Sequence, residues 1–528
     1  MFPGQSFFDS VKEKIPESFS LSNLQRNSYA PVKADDYQHD ELDPLPRRKQ
    51  TLLGTARELF AQTSRRLLLS VAGLLFLLIL AGTFLPSSRS KPIVIQAQKH
   101  NKLFLFIPVF GADTARCRTE LTAAVLGYPT PRLAGLEDKF NEPGMHAERQ
   151  HEKIRIIHNY LVSMGDDRDT DIMILLDGPH SWFQLRAEVL LTRYYQIIER
   201  ASDRLQKSMG SAAAQNRTRT PKVVFSAQNH CSGHTLDEIA CFAAPNNPID
   251  STSNFRYPSA GMAVGPIKEL RDIFARMNEK AEKEKDDVQA HTLLGEIFGE
   301  QEFHREVVRQ GEMSSTKKKL ASVVKALGYG KSVTDDVPGR ELLENSGDVK
   351  YEMGIALDYG NELGLSVDHT TRNTEWVQHN SSAQEGYRST PLPREIQYSM
   401  PPYWTMTQTK MPAHKGWKDV LLLADKRTSS IPAVVNFEWD TKETPYLQSL
   451  EGWSKFWMHG HTRKLFEMQA EIPRLPLTTV VDGNATEHTF WNQEIRLERQ
   501  GGMKLDGGWD SWNDHCEWAQ GEIVAKEG

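Results

Sequence analysis

An aspartate that ends a buried apolar strand is the strongest chemical signal in this chain. Residues 171–179 read DIMILLDGP, and the run IMILLD stops at Asp177. In open α/β sheets, ligands bind beyond the carboxyl ends of strands. A carboxylate at such an end can hold a divalent metal that neutralises a nucleotide diphosphate. His180 follows three residues later and is a second candidate ligand. Taken alone, Asp177 reads more readily as a cap of the next helix or turn, and His180 as a plain loop histidine. His459-Gly-His461 has metal-like spacing, but no cysteine or aspartate partner stands near it in sequence. Gly-x-Ser-x-Gly, Walker, His-Glu-x-x-His and Gly-x-Gly-x-x-Gly patterns are absent, which argues against a serine hydrolase, a P-loop enzyme and a zincin.

The elements around Asp177 indicate what must hold it. KLFLFIPVF (102–110) reads as a buried strand, and HEKIRIIHNYLVSMG (151–165) carries apolar residues at helical spacing. Residues 183–205 read as a second helix, and PKVVFSAQ (221–228) as a third strand. Strands alternating with helices predict an α/β domain with a mainly parallel, Rossmann-like sheet. Loop insertions are expected at 208–220 and 278–350. Ten of the eleven tryptophans lie after residue 375, and residues 441–528 read as a Trp-rich extension.

Ahead of this domain lies Leu67–Leu85, a run without charge or proline. At a rise of ~1.5 Å per residue it spans roughly 28 Å as a helix, close to the ~30 Å hydrocarbon core of a bilayer. Residues 1–66 are polar and read as a disordered tail, which is too long for the n-region of a cleaved signal peptide. Arg65 and Arg66 abut the run on its N-terminal side, so the expectation is one span with the tail cytosolic and the bulk of the chain beyond the membrane. All four cysteines (Cys117, Cys231, Cys241, Cys516) and all three Asn-x-Ser/Thr sequons (Asn216, Asn380, Asn484) follow it. A short stem, 86–100, joins span to domain. The net charge of −6 excludes the strong basic excess of a generic nucleic-acid binder.

The order of motifs is more specific than any one of them. HEKIRIIHNYLVSMGDDRDTDIMILLDGPHSWF resembles the glycosyltransferase domain of the procollagen-lysine dioxygenases and of related procollagen galactosyltransferases. Lys153 and Arg155 match the family's Lys-(Ile/Val)-Arg helix, and Asp177 its first metal carboxylate. VVFSAQNHC resembles its Phe-Ser-Ala-Glu stretch through Ser226. YPSAGMAVG resembles its glycine-rich loop through Ser259 and Gly261. FGEQEFHREV resembles its acidic-Gln helix through Glu300 and Gln301. GIALDYG matches a family strand through Asp358, and PAVVNFEWD places Asn436 where the family has a metal-binding histidine.

The resemblance covers roughly 102–440 and implies a GT-A-like fold that binds a UDP-sugar with Mn²⁺ and transfers the sugar to a protein or glycan acceptor. On that reading Asp177, His180 and Asn436 hold the metal, and Asp177 stabilises the leaving diphosphate. Lys153, Arg155, Ser226, Ser259, Gly261 and Gln301 contact the nucleotide sugar, and Glu300 or Asp358 takes the acceptor proton. The chain departs from the pattern where His180 replaces a carboxylate, Asn436 a histidine, and Ser259-Ala260 an Asn-Gly pair. Two functions are therefore expected. One is a type II membrane hexosyltransferase of the endoplasmic reticulum or Golgi. The alternative is a catalytically inactive relative that serves as a lumenal binding or scaffold protein.

Overall fold

Strand β1 (Lys99–Val109) shows how the sequence builds the centre of the molecule. Side chains alternate across a strand, so Leu103, Leu105, Ile107 and Val109 enter one core while Phe104 and Phe106 enter the other. A strand covered on both faces needs apolar residues at nearly every position, which KLFLFIPV supplies. The computed structural model describes residues 99–109, 114–135, 145–178, 180–209, 220–233, 235, 238–284, 289–312, 351–367, 373–380, 391–406, 415–437, 450–471, 478–492 and 501–517. All of them fall in the unit Pro92–Gly528. The tail 1–66, the apolar run Leu67–Leu85 and most of the stem lie outside the described residues. Among the described residues no helix is long and apolar enough to cross a membrane.

After β1 come α1 (Thr114–Val125), β2 (Pro131–Gly135), α2 (His146–Ser163), β3 (Ile172–Leu176), β4 (Ser181–Phe183) and α3 (Ala187–Met209). The middle holds β5 (Val223–Gln228), α4 (Ile239–Phe242), β6 (Tyr257–Pro266), α5 (Ile267–Lys283), α6 (Ala290–Glu312) and β7 (Ile355–Asp358). Next follow β8 (Gly364–Val367), β9 (Thr374–Val377), α7 (Arg394–Gln397), β10 (Leu422–Asp425) and β11 (Val434–Phe437). The C-terminal part holds α8 (Leu450–Lys455), α9 (Thr462–Glu471), β12 (Thr478–Val481), β13 (Glu487–Asn492), β14 (Gly501–Lys504), β15 (Trp509–Ser511) and α10 (Trp512–Cys516).

The fold is mixed α/β around one large sheet, in the order β15-β14-β2-β1-β3-β6-β5-β7, and it is compatible with a Rossmann-like class. Pairings β14–β2, β2–β1, β1–β3 and β5–β7 are parallel. Strand β6 runs against both its neighbours. Helices α2, α5 and α6 cover one face, and α1 and α3 the other. The carboxyl ends of β1, β3, β5 and β7 therefore share one edge.

The structure departs from the sequence expectations at several places. YPSAGMAVG, expected as a loop, is β6; its small residues are buried at every position from Tyr257 to Gly265. The helix expected from 183 begins at Ala187, because Phe183 sits in β4 and the Gln184 side chain bonds Leu423 and Pro432. The expected insertion 278–350 opens with ordered chain. Residues 278–283 complete α5, and α6 then buries Leu293, Leu294, Ile297 and Phe298. A Cβ at Gly299 would overlap the Ile239 carbonyl, so glycine lets α6 lie directly on α4. The remainder of that insertion, 285–288 and 313–350, and residues 210–219 of the other lie outside the described residues.

Residues 441–528 are woven into the sheet. Strand β13 pairs with the first half of β1, and β14 pairs with β2. Two disulfides join Cys117 to Cys516 and Cys231 to Cys241. Trp417, Trp453, Trp457 and Trp512 are buried, whereas Trp491 is exposed. Trp453 lies 5.1 Å from Trp182, and Trp457 lies 5.6 Å from Trp417.

Candidate functional site

The site is built where two sheets meet. A small sheet, in the order β4-β11-β8, stands at the carboxyl edge of the large one. Its register sets Ser181 opposite Asn436 and Asn436 opposite Ser366. Opposite residues project from the same face, so three polar side chains form one row. Ser181 Oγ donates to Asn436 Oδ1 at 3.1 Å. The row is held against β6 at Gly261, whose carbonyl accepts from Asn436 Nδ2 at 3.4 Å. That carbonyl also accepts the Asp177 N–H at 3.0 Å. A Cβ at Gly261 would stand 2.5 Å from Asn436 Nδ2 and 3.0 Å from Ser366 Oγ, so only a hydrogen fits there. Ser259 Oγ accepts the Gly261 N–H at 3.2 Å and fixes the strand locally.

Lys153 and Asp177 form the electrostatic centre. Helix α2 carries Lys153 on its buried side, 4% exposed, and its Nζ donates to Asp177 Oδ1. Burial alone would raise the Asp177 carboxyl. The Lys153 ammonium, with His291 and His180, brings it below the ordinary carboxylate range. His291 opens α6, and its Nδ1 accepts the Ala260 N–H at 3.0 Å. The proton of a neutral imidazole then sits on Nε2, which becomes a donor. His180 is anchored by its carbonyl, which accepts the Phe437 N–H at 2.8 Å.

The structure thus brings Lys153, Asp177, His180, Ser259, Gly261 and Asn436 together; Asp358 and Ser226 lie further along the same edge, on β7 and β5, and Arg155, Glu300 and Gln301 lie away from it. Arg155 points to the opposite side of α2, half-exposed and paired with Glu152. Gln301 is fully buried and bonds the Ile355 carbonyl and the Met353 and Ile355 amides, fixing the start of β7. Glu300 pairs with Lys280 at 2.9 Å, tying α6 to α5. It stands nine residues from His291, roughly 13 Å along a helix.

Asp358 ends β7, three strands from Asp177, or about 14 Å at ~4.8 Å per strand. Its carboxylate accepts the N–H groups of Glu362, Leu363 and Gly364, shaping the turn that launches β8. Burial, then the nearby Glu362, pushes Asp358 up to about 6, against those three bonds. Ser226 is buried in β5, opposite Asp358 and Ser259.

Sequence reasoning missed His291, Ser181 and Ser366. Ser366 and Ser181 had no readable signal, because the register of the small sheet joins residues up to 255 positions apart. His291 sits on the first turn of a helix inside what read as an insertion.

The residues at this edge fit a divalent metal poorly. They offer one carboxylate, and an ammonium already neutralises it. Hard divalent cations seek several oxygen ligands, usually more than one of them anionic. Among the described residues, three His, Cys or acidic side chains bring their ligand atoms mutually within 4.8 Å at Cys117, His515 and Cys516. Both sulfurs there are spent in a disulfide. His459 and His461 pack edge-on against Trp453 and Tyr403. A separate cavity of about 210 Å³, lined by Arg204, Glu302, Arg305 and Tyr359, is no better placed for chemistry. Glu302 and Glu352 hold its Arg305 in tight ion pairs.

Comparison with known proteins adds no relative: no family model matches the chain, and no curated protein matches it.

Proposed function

We propose that the chain is a glycosyltransferase of GT-A-like fold that uses a UDP-sugar as donor and a protein or glycan as acceptor. The observation that carries this reading is the meeting of Lys153, Asp177, Gly261 and Asn436 at the carboxyl edge of an α/β sheet. Nucleotide ligands favour that edge. The order of motifs along the sequence supports the same reading. Transfer breaks the bond between the anomeric carbon and the diphosphate oxygen. It forms one from that carbon to the acceptor oxygen, and the acceptor proton leaves to a base. The requirement on the protein is to stabilise the charge that develops on the departing diphosphate. Lys153, with its ammonium held at the edge, meets that requirement. Lys153 and Asp177 thus act as a positioned pair, with the carboxylate orienting the cation.

Membrane anchorage through Leu67–Leu85, with the remainder in the lumen of the endoplasmic reticulum or Golgi, belongs to the same proposal. The two disulfides suit an oxidising compartment. A catalytically silent binder is the second reading. It is favoured by the positions of Glu300 and Asp358, which leave the acceptor base unassigned. The test is UDP release from a panel of UDP-hexoses by the full-length chain, compared with Asp177→Asn. Turnover with at least one donor supports the transferase. Binding of UDP-sugars without turnover supports the silent binder, and no binding contradicts the transferase.

A further inference from the structure

We infer that this site holds its diphosphate through Lys153, His291 and neighbouring neutral donors, with no divalent cation. The inference rests on the nucleotide-sugar reading above and names the source of its positive charge.

The donor set carries the argument. A metal-dependent diphosphate site needs carboxylates that face the ion, and here Lys153 occupies the single carboxylate, Asp177. Lys153 is 4% exposed, so α2 delivers its charge to a fixed point instead of letting it range through solvent. An ammonium has three donors, and Asp177 engages one of them. His291 is held by the Ala260 N–H in the tautomer that presents Nε2–H. Ser366 Oγ lies buried beside Gly261 without a hydrogen-bond partner, a hydroxyl available for donation.

These groups suit an anion and offer little to a cation. A divalent ion would have to take Asp177 from Lys153 and leave a buried ammonium unpaired, an unfavourable exchange. A diphosphate leaves the Lys153–Asp177 pair intact and accepts from the two N–H groups of the ammonium that Asp177 does not engage. The departures at positions 180 and 436 follow from this arrangement: with the charge supplied by a lysine, a second carboxylate and a histidine ligand are not required.

The experiment is calorimetric titration of the full-length chain with UDP, once in EDTA and once in excess Mn²⁺. The expected result is the same Kd within threefold under both conditions. Lys153→Met should weaken UDP at least tenfold in both, with Lys153→Arg recovering part of the loss and His291→Gln losing about threefold. Circular dichroism and thermal melting establish that each variant is folded. The wild-type comparison needs no variant, so a Lys153→Met protein that fails to fold leaves the test intact. A loss of tenfold or more in EDTA, restored by Mn²⁺, overturns the inference and leaves the nucleotide reading standing. Unchanged UDP binding by folded Lys153→Met also overturns it. No UDP binding under either condition removes the nucleotide reading itself.

Discussion

Lys153 reaches from the buried side of α2 to the carboxylate of Asp177, the residue that follows β3. One contact thus joins a helix on one face of the sheet to the sheet's carboxyl edge. The pair orients the lysine and also sets the charge of the site.

Breaking the pair leaves a charge without its partner. Asp177→Asn or Lys153→Met should each lower stability by about 2–3 kcal/mol, and the double variant should recover part of that. Urea unfolding of all four proteins measures the coupling. The pH dependence has a definite sign. The folded Asp177 carboxyl lies below its unfolded value, so its contribution is complete above about pH 4 and is lost as pH falls through the folded value. The deficit of Asp177→Asn should therefore be constant near neutrality and shrink below about pH 4.

Gly261→Ala tests the packing of the two sheets. The added methyl would meet Asn436 Nδ2 and Ser366 Oγ, and the small sheet would have to shift. Overpacking of this kind costs about 1–3 kcal/mol. UDP binding should fall more sharply than stability, at least tenfold, because the displaced row faces the site. Binding within twofold of wild type would show that the row does not form part of the ligand surface.

Glu300 and Asp358 should act through structure. Glu300→Gln removes a partner of Lys280 and Arg276 and should leave UDP binding within twofold. Asp358→Ala strips three backbone N–H groups of their acceptor and should cost about 2–3 kcal/mol in urea unfolding. The Asp358 carboxyl is raised when folded, so its ionised form opposes folding. The part of its contribution linked to protonation holds below about pH 4 and is lost as pH rises through about 6, so Asp358→Ala should cost more at about pH 4 than at about pH 8.

The compartment can be read from Asn484. It is exposed in the turn between β12 and β13, open to a glycan. Expressed in a secretory host, the chain should shift in electrophoretic mobility on enzymatic deglycosylation, and Asn484→Gln should remove part of the shift. A chain left in the cytosol would show neither effect.

Much of the site's frame was legible locally. The run IMILLD announced both a doubly buried strand and the carboxylate at its end, because period and composition act over a few residues. Lys153 was visible on a helix, but the face it uses depends on how α2 docks. Strand β6 was hidden by its serine, glycines and prolines, which usually mark turns; here they are small enough to pack between β3 and β5. Strands β13 and β14 pair with chain some 370–390 residues earlier, and no local pattern encodes such a partner. The row of Ser181, Ser366 and Asn436 was invisible for the same reason. Glu300 and Asp358 were legible as residues with chemistry, and their partners gave them structural work.

The most direct test of the account is the binding of a UDP-sugar to the full-length protein, followed by calorimetry for wild type and Asp177→Asn under identical conditions. The account predicts saturable one-to-one binding by wild type and at least a tenfold loss in the folded variant. Absence of binding by wild type to every UDP-hexose tried, or equal affinity in the variant, would contradict it.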